Sequence, residues 1–105
     1  MLVIRASEIT SFKTPKGINA KKLLENQSFK IMNLILQPGE VVEKHEAPVD
    51  IFFYVVKGKG YVQDDEEEVL LEATDILFCG KEIPHGLRAA EEEFHVLVVF
   101  NQTSG

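Results

Sequence analysis

The chain has 105 residues, of which 45% are hydrophobic, and this size and composition predict one domain, residues 1–105, with one buried core. Its 17 acidic and 11 basic side chains give a net charge of −6, which argues against nucleic acids and anionic membrane surfaces as partners, since both require a basic patch. No apolar run approaches the ~20 residues that a membrane-spanning helix needs.

The beginning of the chain has no targeting pattern, because the apolar run Met1–Ile4 is interrupted by Arg5 and soon followed by Glu8. A single cysteine, Cys79, excludes an intrachain disulfide and is typical of a reducing compartment. The apolar neighbours of Cys79 predict a buried thiol rather than a reactive nucleophile. These features together predict a cytoplasmic protein.

The first half of the chain predicts strands separated by turn residues. Residues 19–27 are compatible with either a helical turn or an edge strand. Phe29–Gln37 has the alternation of a long strand, which ends at Pro38 and Gly39. Glu40–Ala47 alternates more loosely, and simple alternation places four of its residues on one face: Val41, Glu43, His45 and Ala47.

The second half repeats this rhythm of short apolar runs and turns. Strands are predicted at Ile51–Val56, Tyr61–Gln63, Val69–Leu71, Ile76–Cys79, His85–Arg88 and Phe94–Phe100. The last of these is apolar on both faces, which is typical of a central strand. Eight or more short strands in about a hundred residues predict an all-β barrel or sandwich and exclude helical bundles and βαβ folds.

Two acidic runs, Asp64–Glu68 and Glu91–Glu93, lie between predicted strands. We interpret both as solvated hairpin tips. A calcium loop requires a glycine and spaced side-chain oxygens, and neither run has them.

Two histidine-bearing segments together resemble the two short motifs of the cupin family of jelly-roll barrels. The first motif has a glycine, five residues, His-x-His, a glutamate and a further glycine; in its register stand Gly39, His45 and Gly58. The two ends of the second motif are matched by Thr74–Phe78 and Pro84–Arg88, although Glu82 replaces a glycine between them. The resemblance covers residues 30–100 and implies an all-β jelly-roll, or double-stranded β-helix, fold.

The resemblance also implies a metal site, half of which is missing in this chain. Metal-binding cupins use three histidines and a glutamate. His45 takes the first position and His85 the last, whereas Ala47 replaces the second histidine and Ile51 replaces the glutamate. Because a first-row metal normally takes three or four protein ligands, two imidazoles alone predict weak binding.

Two carboxylates are candidate replacements for the missing ligands. Asp50 precedes the position of the glutamate by one residue and requires a local bulge to turn inward, and Glu43 is expected on the face of His45. With either of them, His45 and His85 form a possible site for a divalent transition metal: iron, manganese, nickel or zinc.

The replaced positions also change the expected interior of the barrel. Apolar side chains at these positions, together with the two histidines, predict a ligand pocket formed by His45, Ala47, Ile51, Phe53, His85 and Leu87. The alternative is that these side chains simply fill a small barrel.

These residues and motifs are compatible with three functions. The first is a binding module that holds a small, partly apolar molecule, with His45 and His85 as polar anchors. The second is a metal-dependent cupin enzyme, a dioxygenase or isomerase, that uses His45, His85 and Asp50 or Glu43 as ligands. The third is a structural or regulatory dimer with a packed barrel.

A homodimer is expected in each case, because the strand at Phe94–Phe100 is apolar on both faces. The outward-facing residues Phe52 and Tyr54 are expected to pack against the opposing sheet or a partner subunit. His95, on that last strand, is interpreted as a core or interface histidine with a satisfied hydrogen bond rather than a ligand.

Overall fold

The computed structural model describes residues 1–103 and contains, within them, ten β-strands and one turn of 3-10 helix at Ala6–Glu8. The strands are β1 Phe12–Lys13, β2 Asn19–Glu25, β3 Phe29–Leu36, β4 Val41–His45, β5 Ile51–Lys57, β6 Lys59–Gln63, β7 Glu68–Glu72, β8 Ile76–Cys79, β9 His85–Ala89 and β10 Phe94–Asn101. The ambiguous segment at 19–27 is therefore a strand. No helix of the described residues is long and apolar enough to cross a membrane.

The strands form two antiparallel sheets that enclose one core. The larger sheet has the order β1-β2-β3-β10-β5-β8, and the smaller has the order β4-β9-β6-β7. Non-consecutive strands are neighbours in both sheets, as the jelly-roll connection requires. The predicted all-β jelly-roll fold is confirmed.

Strand β10 is central, as the apolar character of both its faces predicted. It pairs with β3 over its whole length, from Phe94 opposite Leu36 to Asn101 opposite Phe29, and with β5 on its other side. Phe94, Val96 and Val98 of β10 are buried, and the outward positions between them, including His95, are partly exposed.

Strand β5 supplies much of the core through the same alternation. Ile51, Phe53 and Val55 are at most 2% exposed, whereas the intervening Phe52 is 38% exposed. The inward side chains pack with residues of both sheets into a single hydrophobic cluster. The two sheets are therefore held together by the apolar residues that the period of two places on one face.

Two turns have a backbone conformation that the resemblance explains. Thr74 has a φ of 76° and Glu82 a φ of 64°, which lie in the left-handed region that favours glycine. Glu82 stands where the second motif has a glycine, and Thr74 stands at the glycine of the Gly-Asp pair with which that motif opens. The turns keep the glycine conformation although the glycines have been replaced, which supports the register of the resemblance.

The acidic run after β6 forms a hairpin tip, as predicted. The Asp64 carboxylate accepts hydrogen bonds from the backbone N–H groups of Glu66, at 2.7 Å, and Glu67, at 2.8 Å. These two bonds lower the pKa of Asp64, because they stabilise its ionised form. The first acidic residue of the run thus stabilises the turn itself.

Candidate functional site

A bulge in β4 brings His45 opposite His85. In the pairing of β4 with β9, Val42 lies opposite Leu87 and His45 lies opposite His85, so three steps along β4 match two steps along β9. The extra residue reverses the alternation of β4 at this point. The prediction that Val41 and Glu43 share the face of His45 is therefore wrong; Val42 shares it instead.

The two imidazole rings are in direct contact. Their centroids are 4.5 Å apart and their planes are tilted by 60°. His85 is buried, at 4% exposure, whereas His45 is exposed. On its inner side the His85 ring meets the Phe53 ring edge-on, with centroids 5.8 Å apart. The pair thus runs from the hydrophobic core to the surface.

Both rings have the same nitrogen bonded to the backbone. His45 Nδ1 lies 3.2 Å from the Glu43 carbonyl oxygen, and His85 Nδ1 lies 3.0 Å from that of Ile83. Because a carbonyl oxygen only accepts hydrogen bonds, Nδ1 of each ring carries a proton. In the neutral rings Nε2 is then the free acceptor, with no hydrogen-bond partner among residues 1–103.

The Cys79 thiol lies next to this pair, and its environment disfavours the thiolate. Its Sγ is 3.7 Å from His85 Nδ1 and 3.7 Å from the Ile83 carbonyl oxygen, to which the thiol donates. Burial raises the pKa of Cys79, and the negative charge of Asp64 raises it further. A raised pKa disfavours the nucleophilic thiolate, in agreement with the buried thiol predicted from the sequence.

Burial lowers the pKa of His85 from its usual value of 6.5. The hydrogen bond to the Ile83 carbonyl opposes this shift, and repulsion from His45 adds to it. His85 is therefore neutral at physiological pH, with a lone pair on Nε2.

The lowered pKa of His85 predicts a pH-dependent stability. Between the folded-state pKa and the higher unfolded-state value, the unfolded chain binds more protons, so stability decreases as the pH falls below about 6.5. We expect urea denaturation to show this decrease between about pH 7 and pH 5, and we expect His85→Gln to weaken it. The matched substitution His95→Gln, outside the pair, should leave the decrease in place. An unchanged decrease in His85→Gln would contradict this explanation.

The two candidate carboxylates do not join the histidine pair. The Asp50 Oδ1 atom accepts a hydrogen bond of 2.9 Å from the Lys81 backbone N–H, and neither of the two clefts that the histidines line includes Asp50. Glu43 is exposed, and it contributes only its backbone carbonyl to His45. In residues 1–103 no group of three or more His, Cys, Asp or Glu side chains is arranged to hold a metal ion. Two imidazoles do not fit the three or four donors that a resident first-row metal takes.

The predicted apolar pocket residues lie in the packed core. Ala47, Ile51, Phe53 and Leu87 are at most 7% exposed and belong to the central hydrophobic cluster. None of them lines the two clefts that the histidines border. In this part of the barrel the side chains fill the interior, which was the alternative interpretation of the sequence.

His45 borders a cleft between the two sheets that we call the His45 cleft. It has a volume of about 380 Å³ and lies between β4, β3 and the turn that joins β1 to β2. Its lining residues are Thr14, Pro15, Lys16, Ile18, Leu34, Val42 and His45. Most of its wall is apolar, and its polar groups are one hydroxyl, one ammonium and one imidazole.

His85 borders a different cleft, the His85 cleft, along the opposite seam between the sheets. It has a volume of about 260 Å³ and lies between β8 and the β6–β7 hairpin. Asp64 and Glu67 line it together with Cys79, so its charged groups are acidic. The contacting histidines therefore lie between an apolar cleft and an acidic cleft.

The turn at residues 14–18 is a part of the site that the sequence did not predict. It precedes the region of resemblance and supplies four of the residues that line the His45 cleft. A signal was present, since Pro15 and Gly17 flank Lys16 in the pattern of a tight turn. Nothing local in that pattern indicates that the turn lies beside His45.

The third histidine lies outside the pair. His95 Nε2 forms a hydrogen bond with the Glu93 carboxylate, and this bond lowers the pKa of Glu93. His95 thus has a satisfied hydrogen bond, as expected from its place on the last strand.

The sequence matches the family model of the cupin domain over residues 32–100. The chain belongs to the cupin family. The matched region begins in β3 and ends in β10, so it contains both histidines and leaves the turn at residues 14–18 outside. No curated protein sequence matches this cupin.

Solved structures share the fold of this cupin at low sequence identity. KdgF from Halomonas sp. has a TM-score of 0.89 at 21% identity, over 99% of this chain and 96% of that chain. A predicted oxalate decarboxylase from Thermotoga maritima has a TM-score of 0.86 at 22% identity, over 95% and 98% of the two chains. The polyketide cyclase RemF from Streptomyces resistomycificus has a TM-score of 0.87 at 15% identity, over 97% and 80%. These neighbours are named for different activities, so the shared fold does not identify the activity of this cupin.

Proposed function

We propose that this cupin binds a small, partly apolar molecule in the His45 cleft, with the histidine pair as its polar anchor. The observation that carries this proposal is an apolar cleft bordered by an imidazole whose Nε2 atom has no hydrogen-bond partner in the described part of the chain. His45 contacts the ligand, and His85, packed against the inner side of His45, holds the ring in place.

The size and chemistry of the cleft support this function. Its volume of about 380 Å³ lies within the range of roughly 300–1,000 Å³ typical of small-molecule sites. Ile18, Leu34 and Val42 provide apolar contact area, and the Nε2 lone pair of His45 accepts a hydrogen bond from a hydroxyl or amide group of the ligand. Few polar groups in an apolar wall are typical of a site that orients its ligand.

The test is binding of uncharged aryl and alkyl alcohols, measured by thermal shift and by NMR titration of backbone amides. We expect binders to perturb residues 14–18, and we expect His45→Leu to weaken their binding about five- to tenfold, the effect of losing roughly one hydrogen bond. His95→Leu is the matched control, because His95 does not line the cleft. Equal affinity of His45→Leu and wild type would contradict the role of His45. Absence of any binder would favour the structural dimer with a packed barrel.

The alternative function, a metal-dependent dioxygenase or isomerase, has weaker support. Its third ligand must come from Asp50 or Glu43. The Asp50 Oδ1 atom instead accepts a hydrogen bond from the Lys81 backbone N–H, and residues 1–103 contain no group of three or more side chains arranged to hold a metal ion. Metal analysis after supplementation with iron, manganese, nickel or zinc separates the two functions. We expect less than ~0.2 metal per chain, because two imidazoles alone bind a metal weakly. A working metal site would instead be nearly fully occupied. A stoichiometric metal would favour the enzyme.

We also propose that two copies of this cupin associate through the outer face of the larger sheet. Four large apolar side chains on β5 and β8 point away from the core and are 38–67% exposed: Phe52, Val56, Ile76 and Phe78. Exposed apolar patches of this kind are typical of interaction sites. A second copy is the occupant we favour, because contact through these four uncharged side chains avoids the repulsion that a net charge of −6 produces elsewhere between copies.

The outer-face dimer is tested by light scattering after gel filtration. We expect wild type to have the mass of a dimer and Phe78→Asp to have that of a monomer, because the charge lies in the proposed interface. Leu70→Asp is the matched control; Leu70 is 46% exposed on β7 of the other sheet. A monomeric wild type, or a Phe78→Asp variant that remains dimeric, would contradict this interface.

A further inference from the structure

The charges around the His45 cleft are unusual for this chain. Acidic residues outnumber basic residues by 17 to 11, yet no carboxylate is among the residues that line the cleft. Its single charged group is the Lys16 ammonium. The His85 cleft on the opposite seam has the reverse composition, with Asp64 and Glu67 and no basic residue. The two clefts therefore present opposite charges.

Lys16 forms no ion pair with a carboxylate within residues 1–103. The ion pairs of residues 1–103 use Lys22, Lys44, Lys59, Arg88 and His95. Lys16 is not one of them, so its charge is available to an anion in the cleft. An ammonium at the rim of an apolar cleft, without a carboxylate partner, favours a ligand that carries a negative charge.

The turn that presents Lys16 is held by its own hydrogen bonds. The Gly17 N–H donates to the Thr14 carbonyl at 2.8 Å, the Thr14 N–H donates to the Ile18 carbonyl at 2.8 Å, and the Ile18 N–H donates to Thr14 Oγ1 at 3.1 Å. Because Thr14 Oγ1 accepts this last bond, its own O–H remains a donor. The turn thus offers an ammonium and a hydroxyl donor on one side of the apolar wall.

We infer that the ligand of the His45 cleft is an apolar carboxylic acid, bound as its carboxylate. The carboxylate contacts Lys16 and the Thr14 hydroxyl, while the apolar body lies against Ile18, Leu34 and Val42. The His45 Nε2 lone pair accepts no bond from a carboxylate, which has no proton to donate, and instead faces a hydroxyl or amide group of the ligand body. This inference rests on the proposed binding function and adds the charge of the ligand to it.

The test compares three probes with the same chain and different head groups: octanoate, 1-octanol and octylamine. Binding is followed by NMR titration of the intact protein at pH 7.5 and low salt, with the amides of residues 14–18 as reporters. We expect octanoate to bind about two- to fivefold more tightly than octanol, the effect of one exposed charge contact, and octylamine to bind most weakly. Added salt should reduce the preference for octanoate, since the contact is near the surface.

The decisive variants are Lys16→Gln and Lys13→Gln. Lys13 is the matched control, because it is three residues away and does not line the cleft. We expect Lys16→Gln to lose the preference for octanoate over octanol, and Lys13→Gln to keep it. If octanol binds wild type as tightly as octanoate, the charge inference fails and the binding function stands. If none of the three probes perturbs the cleft, both fail.

Discussion

Replacing Gly58 with alanine should lower the free energy of unfolding by about 3–4 kcal/mol, the sum of a left-handed backbone penalty and overpacking. Gly58 lies between β5 and β6 with a φ of 82°. A Cβ atom at this position would overlap the backbone carbonyl oxygen of Glu93 and lie 3.3 Å from the Phe94 Cα. Backbone atoms at the start of a central strand do not move aside, so the turn or the strand must shift.

Gly39 provides the matched control for this substitution. It has nearly the same φ, 80°, but no atom lies within 4 Å of the Cβ that alanine would add. Gly39→Ala should therefore cost about 1 kcal/mol, the left-handed penalty alone. Both values come from chemical denaturation followed by circular dichroism. Equal losses at the two positions would show that backbone conformation, rather than the approach of Glu93, explains the glycine at 58.

Replacing Phe53 with alanine should have a comparable effect for a different reason. Phe53 is 1% exposed and packs between the core and the His85 ring. Its truncation leaves a cavity, and we expect a loss of about 3–5 kcal/mol in the free energy of unfolding. Because the cavity opens next to His85, the NMR signals of the His85 ring should shift as well.

The neighbouring residue is the control for Phe53. Phe52 belongs to the same strand but points outward and is 38% exposed. Phe52→Ala should cost clearly less than Phe53→Ala in the monomer, since part of the Phe52 side chain is already exposed. Phe53→Leu should cost less than about 1.5 kcal/mol, because most of the volume remains. A similar loss for Phe52→Ala and Phe53→Ala would contradict the assignment of the two faces of β5.

The sequence predicted the fold and the proximity of the two histidines, but it predicted the wrong residues around them. Local alternation identified β5 and β10, and the register of two motifs placed His45 and His85 together. The same alternation failed within β4, where one extra residue places Val42 rather than Glu43 on the face of His45. A bulge depends on pairing with β9, and no feature of residues 41–45 indicates it.

The predicted pocket also shows that residue type can be read from the sequence, whereas the packing of distant segments cannot. The sequence contained the apolar residues Ala47 and Ile51, which indicated that the metal site was incomplete. Whether these side chains leave a cavity depends on how the two sheets pack, and the structure places them in the filled core. The space beside His45 is instead enclosed by the turn at residues 14–18, which is distant in the sequence.

The sequence by itself determined the all-β fold, the acidic charge and the identity of the two surviving histidines, since hydrophobic periodicity and residue type are local properties. Only the tertiary structure decided which residues surround those histidines. The bulge in β4, the closure of two sheets along two seams and the approach of a distant turn all arise from long-range packing. The charge of the two clefts follows from that packing, and with it the chemistry that we propose for the ligand.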